Sequence, residues 1–284
     1  MNPQISHAVG LIGRGIGASR SPEIHEAEAR TLGIALTYRA VDFDALGLAD
    51  ERLGEVLRFL AGIGFSGCNI THPFKQQVLA LCDEVSEEAT TLGAVNTVVF
   101  RDGRFLGDNT DWIGFSWMIE QQIGAVAGSR VAQVGAGGAG SATAYALARL
   151  GVGELALFDP SAQRCEQLVA RLAPRFPACS FRICASAAEA IAGRDGVVQT
   201  TPIGMAAHPG LPFPSGLMAP PQWLADVIYF PSETPLLAAA RAGGMRAING
   251  TGMVIGQAAE AFRLFTGQRP DQERMLARLL GDAR

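Results

Sequence analysis

What the sequence lacks excludes several classes of protein. No apolar run reaches the ~20 residues that a membrane-spanning helix needs, and residues 1–7 lack the basic and apolar segments of a secretory signal. The five cysteines form no C-x-x-C pair and the four histidines are scattered, so the sequence indicates neither a disulfide framework nor a metal site. A net charge of −4 gives no electrostatic footprint for nucleic acid or an anionic membrane. We therefore expect a cytoplasmic, metal-free protein with reduced thiols.

The composition is that of an ordinary globular protein. Hydrophobic residues make up 48% of the 284 residues and charged residues 18%. A chain of this length can bury two hydrophobic cores, so we expect two domains.

A glycine-rich stretch organises the chain. The apolar run 131–134 leads into Gly135-x-Gly137-x-x-Gly140, and a helix-forming, alanine-rich segment follows. A second apolar run then ends at Asp159, 19 positions after Gly140. A strand, a glycine turn, a helix and a strand with a terminal acid form the fingerprint of a dinucleotide-binding βαβ unit.

Each glycine has a physical role in such a unit. Gly135 permits a tight turn, Gly137 lets the backbone approach a pyrophosphate, and Gly140 lets the helix pack against the strand. The amides at the helix start, around Gly138 and Ala139, then face the anion. The alternative is a structural glycine turn in another kind of α/β protein, because 34 of the residues are glycine.

Asp159 favours NAD over NADP as the cofactor. A carboxylate at the end of the second strand accepts hydrogen bonds from the adenosine ribose and would repel a 2′-phosphate. No arginine directly follows it. Arg164 stands nearby, where it would pair with Asp159 or lie along the adenine.

The remaining pattern predicts an α/β protein. In the first part we expect strands at 8–13, 36–41 and 67–71, a hairpin turning at 102–103, and helices at 23–32 (with Ser21 as N-cap), 46–63, about 75–81 and 86–92. After Asp159 strands and helices alternate, and a long helix from 251 to about 264 turns back to the first domain. The predicted architecture is an N-terminal α/β domain (1–110, completed by 251–284) and a doubly wound, parallel-sheet Rossmann domain (111–250).

Five short stretches place polar side chains beside glycine or proline turns, where a substrate pocket would need them. They are Ser19–Pro22, Asn69–Lys75, Ala94–Thr97, Asp108–Asp111 and Gly256–Ala258.

These five stretches, together with Gly135–Gly140, Thr200–Met205 and Asp226–Tyr229, resemble the shikimate dehydrogenase superfamily from about residue 8 to residue 265. Asp159 replaces the Asn-Arg pair usual in NADP-using members, so the chain is most similar to the NAD-dependent quinate/shikimate dehydrogenases. The resemblance implies NAD-linked interconversion of shikimate or quinate with 3-dehydroshikimate or 3-dehydroquinate. It also implies a small-molecule enzyme, monomeric or homodimeric, that binds neither nucleic acid nor membrane.

The resemblance also implies roles for individual residues. Lys75 would transfer the hydroxyl proton with Asp111 beside it, and Ser19 and Ser21 would bind the substrate carboxylate. The other implied substrate-binding residues are Asn69, Thr71, Asn96, Tyr229 and Gln257. The implied nicotinamide-pocket residues are Pro202, Met205, Val227, Gly250 and Met253.

Taken singly, several of these residues have simpler explanations. Lys75 alone is typical of a surface residue, Ser21 of a helix N-cap, and Asn69 and Asn96 of strand-end turn formers. Other functions also stay open: a metabolite-binding regulatory module of the same fold, a relative acting on an aminated shikimate analogue, or a folate-cofactor dehydrogenase. Retention of both Lys75 and Asp111 argues against the regulatory module.

Overall fold

The computed structural model describes residues 6–281. Two compact units share the chain: one runs up to Thr110 and resumes at Gln257, and the other is Asp111–Gly256. In residues 6–281, no helix is long and apolar enough to cross a membrane.

The first unit contains a mixed sheet of six strands. Its strands are β1 (Ser6–Gly13), β2 (Ala35–Asp42), β3 (Phe65–Ile70), β4 (Glu84–Val85), β5 (Thr97–Arg101) and β6 (Arg104–Asp108). Its helices are α1 (Ser21–Thr31), α2 (Leu53–Gly62) and α3 (Glu87–Leu92), with 3₁₀ turns at Asp50–Arg52 and Gln77–Leu81.

The strand order is β2-β1-β3-β5-β6-β4. The first three strands are parallel, and β5 is antiparallel to both β3 and β6. One core cluster of this unit contains Phe43, Leu57 and Phe74, and another contains Val9, Tyr38 and Phe265.

The second unit is a doubly wound parallel sheet. Its strands are β7 (Arg130–Val134), β8 (Glu154–Phe158), β9 (Ser180–Ile183), β10 (Gly196–Gln199), β11 (Trp223–Asp226) and β12 (Arg246–Ile248). Its helices are α4 (Asp111–Gln122), α5 (Gly138–Arg149), α6 (Ala162–Leu172), α7 (Ala187–Ile191) and α8 (Pro235–Ala242), with a 3₁₀ turn at Ser215–Leu217.

The order β12-β11-β10-β7-β8-β9 reverses direction between β7 and β10. This is the strand order of the Rossmann fold, and ligands of such sheets bind outside the carboxyl ends of the strands at the point of reversal. The predicted fold class is confirmed.

Two further helices follow the second sheet. Helix α9 (Thr251–Thr266) begins in the second unit and ends in the first, and α10 (Gln272–Gly281) belongs to the first. An ion pair from Arg274 on α10 to the fully buried Glu28 of α1 fixes α10 in the first unit. The sequence pattern did not reveal α10 or the short strands β4 and β12.

Three local predictions were wrong. The helix expected at 46–63 is shorter, because Gly47 adopts a left-handed conformation (φ +62°) and turns the chain before the 3₁₀ turn at Asp50. The segment around Lys75 is a turn, with helical structure only from Gln77. Ser21 is not an N-cap, because Arg20 occupies that position and Ser21 is the first residue of α1.

The predicted hairpin is confirmed. Strands β5 and β6 pair up to Arg101 and Arg104, and both residues between them have positive φ, +51° at Asp102 and +74° at Gly103. These angles are those of a type I′ turn.

Candidate functional site

The glycine loop after β7 admits no side chain at two of its positions. Gly135 has φ +107°, and a Cβ there would lie 2.4 Å from Thr200 Oγ1. A Cβ on Gly140 would lie 2.4 Å from the carbonyl oxygen of Gly135. Helix α5 therefore packs against the loop as closely as the backbone allows, as a dinucleotide-binding turn requires.

The other face of the loop is open. A Cβ on Gly137 or Gly138 would meet no atom within 4 Å. Helix α5 begins at Gly138 without a side-chain cap, so its first amides are available to an anion. Close approach of the backbone on one side and open space with helix amides on the other fit a dinucleotide pyrophosphate.

A buried side-chain network holds the loop in this shape. Gln133 Nε2 donates to the carbonyls of Gly135 (2.9 Å) and Gly140 (2.8 Å), and the Thr143 hydroxyl donates to Gln133 Oε1 at 2.8 Å. Gln133 and Thr143 are fully buried. Neither residue stands out in the nucleotide-binding motif, although a glutamine inside the otherwise apolar run of β7 is a signal for such a role.

Asp159 is joined to the glycine loop directly. Its carboxylate accepts from the amide of Ala136 and from that of Ser161, each at 2.9 Å. Its side chain is 6% exposed, and Arg164 Nη1 lies 3.8 Å from Oδ1. A carboxylate has about four acceptor positions, so the two amides leave capacity for ribose hydroxyls. These residues fit the adenosine half of a dinucleotide.

A second buried network lies at the ends of β10 and β11. Asp226 is fully buried and accepts from Thr234 Oγ1 (2.8 Å), the Ile228 amide (3.1 Å) and Gln199 Nε2 (3.4 Å). Gln199 Nε2 also donates to the carbonyls of Thr201 and Ile203. Burial raises the pKa of Asp226 to about 6, and the three donors oppose that rise. Asp226 thus ties the segment after β11 to the segment after β10.

Of the predicted nicotinamide-pocket residues, Pro202, Met205 and Val227 lie on these same segments, as does Tyr229, which was predicted to bind the substrate. Pro202 and Met205 are exposed and Tyr229 is 42% exposed. Met253 is buried on α9. Gly250 packs on Val227 so closely that a Cβ would lie 2.0 Å from the Val227 carbonyl oxygen.

In the first unit, four of the predicted substrate residues form side-chain hydrogen bonds, in two groups. Ser19 Oγ donates to Ser21 Oγ at 3.2 Å, and the Asn69 amide nitrogen donates to Thr97 Oγ1 at 3.0 Å. Thr97 Oγ1 in turn donates to Asn96 Oδ1 at 3.0 Å. Asn69 and Asn96 are 7% and 3% exposed.

Two residues that the sequence pattern did not reveal extend the group around Asn69 and Asn96. Tyr38 of β2 donates to Asn69 Oδ1 at 2.9 Å. Thr110 accepts from Asn96 Nδ2 at 3.1 Å and donates its amide to Asn96 Oδ1 at 2.8 Å.

The other predicted residues have these positions. Thr71 directly follows β3, and its amide donates to the Ile12 carbonyl. Lys75 is half-buried, and its carbonyl accepts from Val95. Gln257 is half-buried on α9. Lys75 belongs to the first unit and Asp111, the first residue of α4, to the second, so their pairing stays a prediction.

Comparison with known proteins assigns the chain to a family. The family model for the shikimate dehydrogenase substrate binding domain matches residues 11–98, and that for the shikimate 5'-dehydrogenase C-terminal domain matches residues 250–280. A shikimate dehydrogenase (NADP(+)) of Streptomyces avermitilis is 46% identical over 278 residues, which are 96% of this chain and 95% of the relative. The chain belongs to the shikimate dehydrogenase family.

Other relatives of similar identity are named for NAD instead of NADP. A quinate/shikimate dehydrogenase (NAD(+)) of Corynebacterium efficiens is also 46% identical, over 96% of this chain and 97% of the relative. The structure of quinate dehydrogenase from Corynebacterium glutamicum in complex with NAD has a TM-score of 0.90 and 44% identity, covering 97% of this chain and 99% of that one. Family membership therefore leaves the cofactor to be argued from the residues.

Proposed function

We propose that this shikimate dehydrogenase family member catalyses the NAD-dependent oxidation of a ring hydroxyl of shikimate or quinate, and the reverse reduction of 3-dehydroshikimate or 3-dehydroquinate. The observation that carries the proposal is the set of hydrogen-bonded polar side chains in the first unit, the pair Ser19 and Ser21 and the group that includes Asn69 and Asn96. Hydroxyls and amides both donate and accept, as recognition of a polyhydroxylated acid requires.

The proposed substrate-binding residues of the first unit suit different groups of the substrate. Ser19 and Ser21 carry hydroxyls at the start of α1 and suit a carboxylate. The amides of Asn69 and Asn96 suit ring hydroxyls. We assign Thr71, Gln257 and Tyr229 to the same substrate on the basis of the family resemblance.

Lys75 is the residue we assign to proton transfer. The bound nicotinamide supplies the hydride acceptor, so the protein has to remove only the hydroxyl proton. The amine of Lys75 accepts that proton during oxidation and returns it during reduction. Asp111 is proposed to orient the ammonium form.

NAD is favoured because Asp159 carries a carboxylate at the end of β8, the position from which a dinucleotide-binding unit contacts the adenosine ribose. The Ala136 and Ser161 amides bind two of its acceptor positions and hold the carboxylate in place at the end of β8. An anionic phosphate would have to approach this charge, with Arg164, 62% exposed, as the opposing cation. Ribose hydroxyls are uncharged, so they can donate to the carboxylate without charge repulsion.

Initial rates on shikimate and quinate, each with NAD and NADP, test the proposal. We expect turnover of at least one acid, with higher kcat/KM for NAD. Absence of turnover on both acids with either cofactor would overturn the assigned reaction. Equal or better kcat/KM with NADP would overturn the cofactor assignment and leave the substrate assignment intact.

A further inference from the structure

The last residues of β10 and β11 lie side by side in the second sheet. Gln199 ends β10, Asp226 ends β11, and the two are paired in the strand register. Both side chains are fully buried, and Gln199 Nε2 donates to Asp226 Oδ1 at 3.4 Å. Two buried polar side chains therefore meet at the carboxyl ends of these strands, next to the point of reversal between β7 and β10.

Gln199 holds the segment that follows β10. Its Nε2 donates to the carbonyls of Thr201 (3.0 Å) and Ile203 (3.2 Å), and its Oε1 accepts from the Thr201 amide. The Ile203 amide donates to Thr201 Oγ1 at 3.3 Å and closes the turn. One buried side chain thus fixes three backbone groups on either side of Pro202.

Asp226 holds the segment that follows β11 and the start of α8. Its carboxylate accepts from the Ile228 amide at 3.1 Å and from Thr234 Oγ1 at 2.8 Å. Gly204, in the segment after β10, packs on both of these residues, since a Cβ there would lie 3.2 Å from Ile228 Cδ1 and 3.4 Å from Thr234 Cβ. The two segments are therefore joined through Gln199 and also through the residues that Asp226 fixes.

These segments lie where we expect the nicotinamide half of the cofactor. We assign the pyrophosphate to the glycine loop after β7 and the adenosine ribose to Asp159 after β8. A dinucleotide that crosses the point of reversal then places its other half over β10 and β11. The predicted nicotinamide-pocket residues Pro202, Met205 and Val227 lie on the two segments. The inference drawn from this placement rests on the proposed function.

We propose that Gln199 and Asp226 are a pair of positioning residues that hold the nicotinamide pocket in its binding shape. Each acts through the backbone of the segments that it fixes. Because these segments are ordered in advance, binding of the nicotinamide costs less conformational entropy. The adenosine half has its own anchors at the glycine loop and Asp159, so its binding does not depend on the pair.

Binding of NADH and of ADP-ribose tests the proposal. ADP-ribose lacks the nicotinamide ring, so the ratio of its Kd to that of NADH measures what the nicotinamide contributes. Both Kd values are measured by isothermal titration calorimetry for wild type, Asp226→Ala and Gln199→Met. Residues that act on a ligand through their neighbours change binding by a modest factor, and we expect the ratio to fall about 2-fold to 30-fold in each variant. The Kd of ADP-ribose should stay at its wild-type value.

Two further variants are controls. Arg194→Ala breaks a buried ion pair of the same unit, 2.8 Å from Arg194 Nη1 to Glu154 Oε1, at the amino ends of β8 and β10. Its ratio should equal that of wild type. Asp226→Asn keeps an acceptor oxygen, and its amino group can donate to Thr234 Oγ1. It should recover most of the ratio that Asp226→Ala loses.

The possible outcomes separate this inference from the proposed function. A wild-type ratio in Asp226→Ala or in Gln199→Met would refute the positioning role, and either variant decides if the other does not fold. Equal weakening of NADH and ADP-ribose leaves the ratio unchanged and refutes it in the same way. A fall in Arg194→Ala as large as in Asp226→Ala, or an Asp226→Asn ratio no better than that of Asp226→Ala, would also refute it. If wild type binds NADH but turns over neither acid, the assigned reaction fails while the ratio still decides the inference.

Discussion

The imidazole of His25 makes the first unit sensitive to acid. The ring is fully buried on α1, with the rings of Tyr38 and Phe262 at 4.8 and 6.0 Å. Within the described residues neither ring nitrogen has a hydrogen-bond partner. Burial lowers the pKa of His25 from 6.5 to about 3, because a charged imidazolium would have no compensating group there.

The sign of the effect follows from proton binding in the two states. Between pH 6.5 and pH 3 the unfolded chain binds a proton at His25 and the folded chain does not, so stability falls as the pH falls. At about 1.4 kcal/mol per pKa unit the full loss is about 5 kcal/mol. About 2 kcal/mol of it is expected between pH 8 and pH 5.

Urea unfolding followed by circular dichroism at pH 8 and pH 5 measures this loss. His25→Leu keeps an apolar side chain of similar size and cannot titrate. Every other ionisable group is present in both proteins. Between the two pH values the free energy of unfolding of the wild type should therefore fall by about 2 kcal/mol more than that of the variant. Equal losses would show that the folded protein accepts the proton, and would refute the reasoning from burial.

Four predictions concern the proposed reaction. Lys75→Ala should lower kcat about 10²–10⁴-fold with little change in NAD affinity, measured separately by cofactor titration; near-normal kcat would assign the proton to another residue. Asp111→Asn should lower kcat/KM by a factor that changes with pH. If the pH profile of kcat/KM for the variant runs parallel to that of the wild type, the charge of Asp111 has no part in the mechanism. Ser19→Ala or Ser21→Ala should raise KM for the acid far more than it lowers kcat, and an unchanged KM in both would move the carboxylate site elsewhere. Asp159→Asn combined with an added arginine nearby should reduce the preference for NAD, with a loss of NAD binding of about 1–3 kcal/mol; an unchanged NAD/NADP ratio would count against the role of Asp159.

The parts of the structure that the sequence predicted are those encoded locally. The glycine loop and Asp159 lie within one βαβ unit, where spacing alone defines the turn, the helix and the second strand. The type I′ hairpin at Asp102-Gly103 is likewise a two-residue signal. The helix expected at 46–63 was too long. Leu46 and Ile63 are apolar residues that suit the buried face of a helix, but both are exposed in the structure.

The connections between predicted site residues could not be predicted in the same way. Tyr38 alternates with exposed neighbours along β2, which indicates an inward side chain, but its partner Asn69 lies 31 positions away. Which residues meet depends on β2, β1 and β3 lying side by side, and strand order is not written in local spacing. The same holds for Asn96 and Thr110, which meet across 14 positions.

Asp159 shows how a single residue serves structure and recognition together. One carboxylate oxygen holds the glycine loop through Ala136, and the other holds Ser161, the residue before α6. An asparagine at this position keeps one acceptor oxygen and presents an amino group where the other oxygen accepted, so one of the two backbone amides loses its partner. Substitution at residue 159 therefore changes the charge that selects the cofactor and also loosens the loop that faces the pyrophosphate. Asp159→Asn with an added arginine therefore weakens the preference for NAD, whereas tight binding of NADP also needs a replacement that still accepts from both amides.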